Sequence, residues 1–176
     1  MVMSVLGNRH WFLYNCLKQI DEENPVDLST LNKRVEFQKK VYILKALGLP
    51  LNYTYGSYIK GPYSTSLARV GYTIYEMPEE SIPPDLDIIV PINKNDLENI
   101  EILKNMMNDF PKKHNDAYWL ELISSLHFLF NQAFPSVKDW NIAKKRLNIW
   151  KPSKFDDKDI DFAISLMIKY DLVKIN

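Results

Sequence analysis

The sequence has one cysteine, five glycines and no excess of either charge, and each of these shortages excludes a class of protein. The lone thiol of Cys16 cannot form an intramolecular disulfide, so the chain is not a disulfide-stapled secreted domain. The five glycines stand at spacings that build neither a phosphate-binding loop nor a dinucleotide fingerprint. Because 22 lysines and arginines balance 22 acidic residues, the whole molecule has no net attraction to nucleic acid or to anionic membranes.

Long hydrophobic runs are also missing. Asn8, Arg9 and His10 interrupt the first 20 residues, so the sequence predicts no signal peptide. No stretch approaches the roughly 18 apolar residues that a membrane span requires. Together with the single cysteine, these absences predict a cytoplasmic protein that makes no membrane contact.

Apolar residues make up 46% of the 176 residues and aromatic residues 12%, which is enough to bury a core. Their spacing predicts a mainly α fold, a compact domain of about six helices with a small β element, and a winged-helix-like arrangement is one option. The helical patterns cover 4–21, 32–47, 64–75, 95–110, 116–132, 136–146 and a last helix from residue 156.

The β element is predicted from aromatic residues that alternate with polar ones. The period-2 pattern of 52–59 predicts a short strand that ends at Gly61 and Pro62, and Ser64 then caps the following helix. A terminal strand is predicted at 172–175. The pattern is therefore helix, strand, tight turn, helix.

Four prolines fall within 77–94, which predicts a surface connection with at most a brief extended piece at 88–90. We expect a single domain, 1–176. The alternative is two helical halves, 1–76 and 95–176, joined by this connection.

The residues that carry chemistry are scattered. His10, His114 and His127 stand far apart without a paired ligand three or four residues away, so no metal site is predicted. Cys16 lies in a core pattern, no nucleophile motif is present, and His127 is interpreted as a hydrogen-bonded core histidine. The sequence predicts a non-enzymatic protein without a cofactor, and an enzyme without a recognisable motif stays an alternative.

Charge is segregated along the chain although it sums to zero. Residues 31–70 and 138–154 are basic, whereas 71–101 are acidic. Basic segments beside tyrosines are typical of a phosphate-contacting face, but the same lysines fit an interpretation in which their stems merely cover the edge of the core. On the first interpretation, nucleic-acid phosphates contact Lys33, Lys39, Lys40, Lys144, Lys145 and Arg146.

Two short motifs resemble a known family. Phe37-Gln38-Lys39-Lys40 opens a helical segment that ends at Gly48, and Tyr58-Ile59-Lys60-Gly61-Pro62-Tyr63-Ser64 follows. These motifs, with 119–127 and the terminal helix, resemble the YwgA-like uncharacterised proteins, which are relatives of the antitoxin-associated Panacea (SocA-like) domain. The resemblance implies a largely helical fold and a link to toxin neutralisation, host defence or regulation in prokaryotes.

The turn of the second motif is the candidate site. A purely structural role, forming the turn and capping the next helix, would explain its glycine, proline and serine. A more specific hypothesis is that the side chains around the helix start bind an anion, nucleic acid or a partner protein. The residues of this hypothesis are Tyr55, Tyr58, Lys60, Tyr63, Ser64 and Arg69.

The first expectation for function is a non-enzymatic interaction module of antitoxin-like or regulatory type, acting on a protein partner or by self-association. The alternative is a winged-helix-like regulator that binds DNA.

Overall fold

Helices dominate the computed structural model, which describes residues 6–131 and 138–173. The mainly α prediction, with a small β element, is confirmed. The helices of the described residues are α1 (Asn8–Lys18), α2 (Leu31–Ala46), α3 (Thr65–Tyr75), α4 (Leu86–Ile89), α5 (Lys94–Asn108), α6 (Asp116–Asn131), α7 (Trp140–Trp150) and α8 (Asp157–Lys169). None of these helices is long and apolar enough to cross a membrane.

Short polar side chains cap the helix starts, as a side-chain oxygen satisfies a first-turn amide. Ser64 accepts from the Leu67 amide and Asp156 from the Asp159 amide, both as predicted. For α5 the predicted cap, Asn95, is wrong. Asn93 caps instead, because its side chain reaches the Asp96 amide at 2.8 Å and the Asp96 carboxylate accepts from the Asn93 amide group in return.

Helices α2 and α6 pack against each other at the centre of the structure. The hairpin and α5 contact α2, while α7, α8 and the hairpin contact α6. The core takes residues from both sides of the connection 77–94, among them Val41 before it and Leu103, Leu126 and Met167 after it.

The β element is a hairpin and not a single strand. Strands β1 (Gly56–Tyr58) and β2 (Gly61–Tyr63) pair antiparallel, with Ser57 opposite Pro62. The prediction that the strand ends at Gly61 is therefore wrong. A proline fits a ladder at a pair that exchanges no backbone hydrogen bond. β2 lies against α6 and α2, so the hairpin rests on the helices, whereas β1 is exposed.

The connection 77–94 is more ordered than the prolines predict. It contains a single-turn 3-10 helix (Glu79–Ser81) and α4, so the extended piece predicted at 88–90 is wrong. Leu86 and Val90, four residues apart, are both buried, which favours a helical turn. The side chain of Asn15 in α1 donates to the Val90 carbonyl at 3.1 Å and holds α4 in place.

Two predicted boundaries at the C-terminal end also differ. α7 begins at Trp140 because Asp139 accepts from the Asn141 and Ile142 amides, and the predicted start, Ser136, lies outside the described residues. Leu172 and Val173 form bends and not a strand, while 174–175 lie outside the description.

Candidate functional site

A cluster of buried charges lies beneath the hairpin. We call Lys39, Glu121, Lys151 and Lys154 the charged cluster. The Glu121 carboxylate is almost fully buried and accepts from Lys151 at 2.8 Å and from Lys154 at 2.5 Å. Lys39 and Lys151 are also buried. Such charges are tolerated inside a protein only when ion pairs and hydrogen bonds compensate them.

The charged cluster anchors the hairpin by its backbone. Lys39 donates to the Pro62 carbonyl and Lys151 to the Ile59 carbonyl, each at 2.5 Å. Gln38, next to Lys39 on α2, makes two more bonds at 3.0 Å, because its amide group donates to the Ser64 carbonyl and its oxygen accepts from the Ser64 amide. The Gln-Lys and Gly-Pro-Tyr-Ser motifs are therefore in direct contact.

Burial and mutual repulsion set the electrostatics of the charged cluster. The pKa of Lys39 is lowered to about 7, mainly by burial; the charge of Glu121 opposes this shift, and the charges of Lys151 and Lys154 contribute to it. Burial acts to raise the pKa of Glu121, but hydrogen bonds from Lys151 and Lys154 outweigh it, and the pKa is lowered. At neutral pH Glu121 is ionised and Lys39 is close to losing its proton.

Lys39→Met is expected to flatten the pH dependence of stability between pH 7 and 10.5. In the folded state Lys39 loses its proton near pH 7, whereas an unfolded lysine keeps it up to the ordinary value of 10.5. The unfolded state binds more protons in this window, so the free energy of unfolding rises with pH, by up to about 1.4 kcal/mol per unit. Methionine removes this rise.

Urea unfolding at several pH values across the window measures this effect, with the exposed Lys94→Met as the control. Equal slopes in the wild type and in Lys39→Met would contradict the prediction.

A cleft of about 220 Å³ opens beside the charged cluster. It lies between the turn of the hairpin, the start of α2 and the start of α6, and we call it the hairpin cleft. Its polar lining comprises two ammonium groups, one carboxylate, two side-chain amides, a histidine and a tyrosine. The lining residues are Asn32, Val35, Lys60, His114, Asn115, Ala117, Tyr118, Glu121 and Lys154.

The wall of the cleft formed by His114 and Tyr118 is held by a buried carboxylate. The two rings stack at 3.8 Å, and Asp159 accepts from the Tyr118 hydroxyl at 2.8 Å and lies 3.3 Å from the His114 ring nitrogen. Burial acts to raise the pKa of Asp159, but hydrogen bonds from Lys113 and Tyr118 outweigh this effect, and the pKa is lowered. The Asp159 carboxylate therefore positions both rings of this wall.

The structure brings together only part of the predicted site. Tyr58 and Tyr63 stack with ring centres 5.1 Å apart, and Tyr58 is 54% exposed. Tyr55 instead points its ring edge at Tyr42, and its buried hydroxyl has no hydrogen-bond partner among the described residues.

The other three predicted residues lie apart. Ser64 is buried as the cap of α3, Lys60 lines the hairpin cleft, and Arg69 is exposed on α3. The six residues therefore do not form one group around the helix start. They divide into an aromatic pair, a separate tyrosine beside Tyr42, a helix cap and two separate charges.

The lysines of α2 that were predicted to contact phosphates have other partners. Lys39 is only 1% exposed and donates to the Pro62 carbonyl. The prediction that Lys39 contacts phosphates is therefore wrong, because its ammonium group does not reach the surface. Lys33 and Lys40 lie 3.3 Å and 3.7 Å from the Glu36 carboxylate.

The predicted phosphate contacts on α7 are more accessible. Lys144 pairs with Asp161 on α8, and Lys145 is exposed. Arg146 is half-buried on the same helix.

Sequence reasoning missed Gln38, Glu121 and Lys151. A signal exists for Glu121, because it is the acid inside the apolar stretch that runs from Trp119 to Phe130. His127 lies in the core as predicted, with a ring nitrogen 2.8 Å from the Tyr42 hydroxyl, and burial lowers its pKa to about 4. Among the described residues no group of three or more ligands could hold a metal.

Comparisons with family models, with curated proteins and with solved structures found no match to this chain. The resemblance to the YwgA-like proteins therefore stays a prediction.

Proposed function

We propose that this protein is a non-enzymatic interaction module that binds a protein partner through its hairpin. The observation that carries the proposal is an exposed apolar tip on an anchored hairpin, with Tyr58 54% and Ile59 75% exposed. We define the hairpin face as Tyr58, Ile59, Tyr63 and Tyr72. Exposed apolar side chains that cluster in one place are typical of contact surfaces.

The anchoring of the hairpin favours binding. Its backbone is held at Ile59, Pro62 and Ser64 by side chains of the helices, and Tyr58 is held by its stack on Tyr63. A surface that is ordered before binding loses less conformational entropy when the complex forms. The hairpin face is therefore suited to act as a rigid anchor.

The residues around the hairpin face indicate an acidic partner. Arg34, Tyr63 and Tyr72 line a shallow groove between α2 and α3, and Arg69 is exposed on α3. Tyrosine and arginine are enriched at protein interfaces. We therefore propose a partner segment that combines apolar side chains with acidic ones.

The exposed strand β1 supports an extended shape for this segment. Its outer edge is not paired within the described residues, and Ser57 faces Pro62, which cannot donate a backbone hydrogen bond. The alternation of an antiparallel ladder then directs the Ser57 backbone groups to the open edge. A partner strand can pair there, as in other complexes that extend a sheet.

The double variant Tyr58→Ser/Ile59→Ser is expected to bind such segments much more weakly than the wild type. Peptides displayed as a random library are selected on the full-length wild type, and the enriched peptides are then titrated by fluorescence polarisation against the wild type and the variant. We expect enriched peptides that are apolar and acidic, and at least tenfold weaker binding to the double variant, since central aromatic contacts dominate binding energy.

Ile88→Ser is the matched control, because Ile88 is 80% exposed on α4, away from the hairpin. The proposal would be overturned if the enriched peptides bind the double variant, Ile88→Ser and the wild type with equal affinity. Sedimentation at increasing concentration identifies the other occupant: self-association that is lost in the double variant but kept in Ile88→Ser would mean that a second copy fills the face.

The ion pairs of the lysines favour a protein partner over DNA. Lys39 is buried, and Lys33, Lys40 and Lys144 have acidic neighbours, so the positive surface available to phosphates is smaller than the sequence predicts. Binding of a labelled random duplex that weakens steeply with salt would support the DNA-binding alternative instead.

A further inference from the structure

The hairpin cleft carries uncompensated positive charge. Lys60 and Lys154 both line it, and the only carboxylate in its lining is Glu121. One Glu121 oxygen already accepts from both Lys151 and Lys154. Lys60 has no hydrogen-bond or ion-pair partner among the residues that the structure describes. Three ammonium groups therefore surround one carboxylate at this place.

Lys60 lies close enough to affect the other two lysines. Burial is the main cause that lowers the pKa of Lys151 and of Lys154, Glu121 opposes it, and the charge of Lys60 lowers both pKa values further. Crowded like charges are a cost to the free protein. An anion bound between Lys60 and Lys154 would relieve this repulsion.

Neutral donors and a helix start complete the lining. The Asn115 side-chain oxygen accepts from the Tyr118 amide, so its amide group is left to donate to a ligand. Asn32 supplies a second amide on the opposite side of the cleft. The partial positive charge at the start of the 16-residue α6 adds to that of the lysines.

We propose that the hairpin cleft is a binding site for a small oxyanion, a phosphate group or a carboxylate, held between Lys60 and Lys154. Its volume of about 220 Å³ is smaller than that of pockets for drug-sized ligands, which begin at about 300 Å³, and it suits a ligand of a few atoms. Lys60 is the residue that this ligand pairs with first, because its ammonium group has no partner in the described part of the chain. The site is separate from the hairpin face and does not depend on the proposed function.

Isothermal titration of the full-length protein at low ionic strength tests this site, with inorganic phosphate and acetate as probes and sodium chloride at matched ionic strength as the reference. We expect saturable binding of phosphate, of acetate or of both, and at least tenfold weaker binding by Lys60→Gln. Saturation by phosphate alone would identify a phosphate site, and saturation by acetate a carboxylate site.

Two further variants separate loss of the binding site from loss of folding and from a general loss of positive charge. Asn115→Asp keeps a good helix cap but places a negative charge at the cleft, so it is expected to abolish binding without unfolding the protein. Lys94→Gln removes a lysine that is 92% exposed on α5 and is expected to bind like the wild type. Absence of saturable binding in the wild type, or equal binding by Lys60→Gln, would overturn the proposal. Binding by Tyr58→Ser/Ile59→Ser is expected to be unchanged, which separates this site from the hairpin face.

Discussion

Glu121→Gln is expected to lower the free energy of unfolding by about 3 to 5 kcal/mol, as measured when one partner of a buried ion pair is removed. The substitution keeps the shape of the side chain but removes the negative charge that Lys151 and Lys154 share. Lys154 can turn toward water because it is partly exposed, whereas the side chain of Lys151 is 2% exposed. The cost therefore arises mainly from the Lys151 ammonium, which stays buried without a counter-charge.

Urea unfolding followed by circular dichroism measures this loss, and Glu98→Gln is the control. Glu98 pairs with Lys94 at 3.8 Å on the exposed face of α5, where an ion pair contributes at most about 1 kcal/mol. A loss as small as that of the control would mean that the charged cluster is not a source of stability.

Glu121 is also expected to make the free energy of unfolding depend on pH in the acid range. Its pKa is lower in the folded state than the ordinary value of 4.5, so the unfolded state binds a proton first as the pH falls. The stabilisation is complete above the unfolded value and is lost as the pH falls through the folded value. This acid-dependent part of the stability is expected to be absent from Glu121→Gln.

Gly61→Ala is expected to lower the free energy of unfolding by about 2 to 4 kcal/mol, the sum of a left-handed backbone and an overpacked contact. Gly61 has a φ of +88°, which a residue with a Cβ adopts at a cost. A Cβ at this position would lie 2.6 Å from the Ser125 hydroxyl oxygen and 3.4 Å from the Lys39 ammonium nitrogen. Either the Ser125 side chain would have to rotate away or the backbone of the hairpin would have to move from α6.

Thermal and urea unfolding measure this loss, and Gly56→Ala in the opposite strand is the matched control. No atom lies within 4 Å of a Cβ built at Gly56, so a change of less than about 0.5 kcal/mol is expected, as for other surface substitutions. Equal effects of the two alanines would show that the close contact at Gly61 is unimportant.

The double variant Gly61→Ala/Ser125→Ala separates the two causes. The Ser125 hydroxyl is buried without a hydrogen-bond partner among the described residues, so its removal alone is expected to be neutral or stabilising. In the double variant the contact is relieved while the backbone strain stays, so recovery of about 1 to 2 kcal/mol is expected as a coupling between neighbouring positions. Additive losses would assign the whole effect to the backbone.

Much of the fold could be predicted because helices are encoded locally. Apolar residues at a spacing of three or four residues predicted α2 and α6 to within a residue of their observed ends, and polar caps such as Ser64 and Asp156 predicted where helices begin. Several errors fall where a tertiary contact decides between local options. The α4 turn is one case, since Leu86 and Val90 bury their side chains beside α1.

The candidate site was less predictable than the fold. Lys39 and Lys33 look alike in the sequence, as lysines on the same basic helix, but Lys39 is buried while the side chain of Lys33 is 43% exposed. What separates them is the direction each takes from α2, and therefore whether the hairpin covers it. The sequence of α2 does not contain that information.

The sequence by itself determined the long helices, caps such as Ser64 and Asp156, and the two motifs around Gln38 and Gly61, because each depends on neighbours within a few residues. Only the tertiary structure decided that Glu121 from α6 lies among lysines that are distant in the chain, and that Lys60 faces a cleft and has no partner among the described residues. The physical reason is distance along the chain: the Lys151 ammonium contacts the Ile59 carbonyl across 92 positions, and such contacts form only when the core brings the helices together.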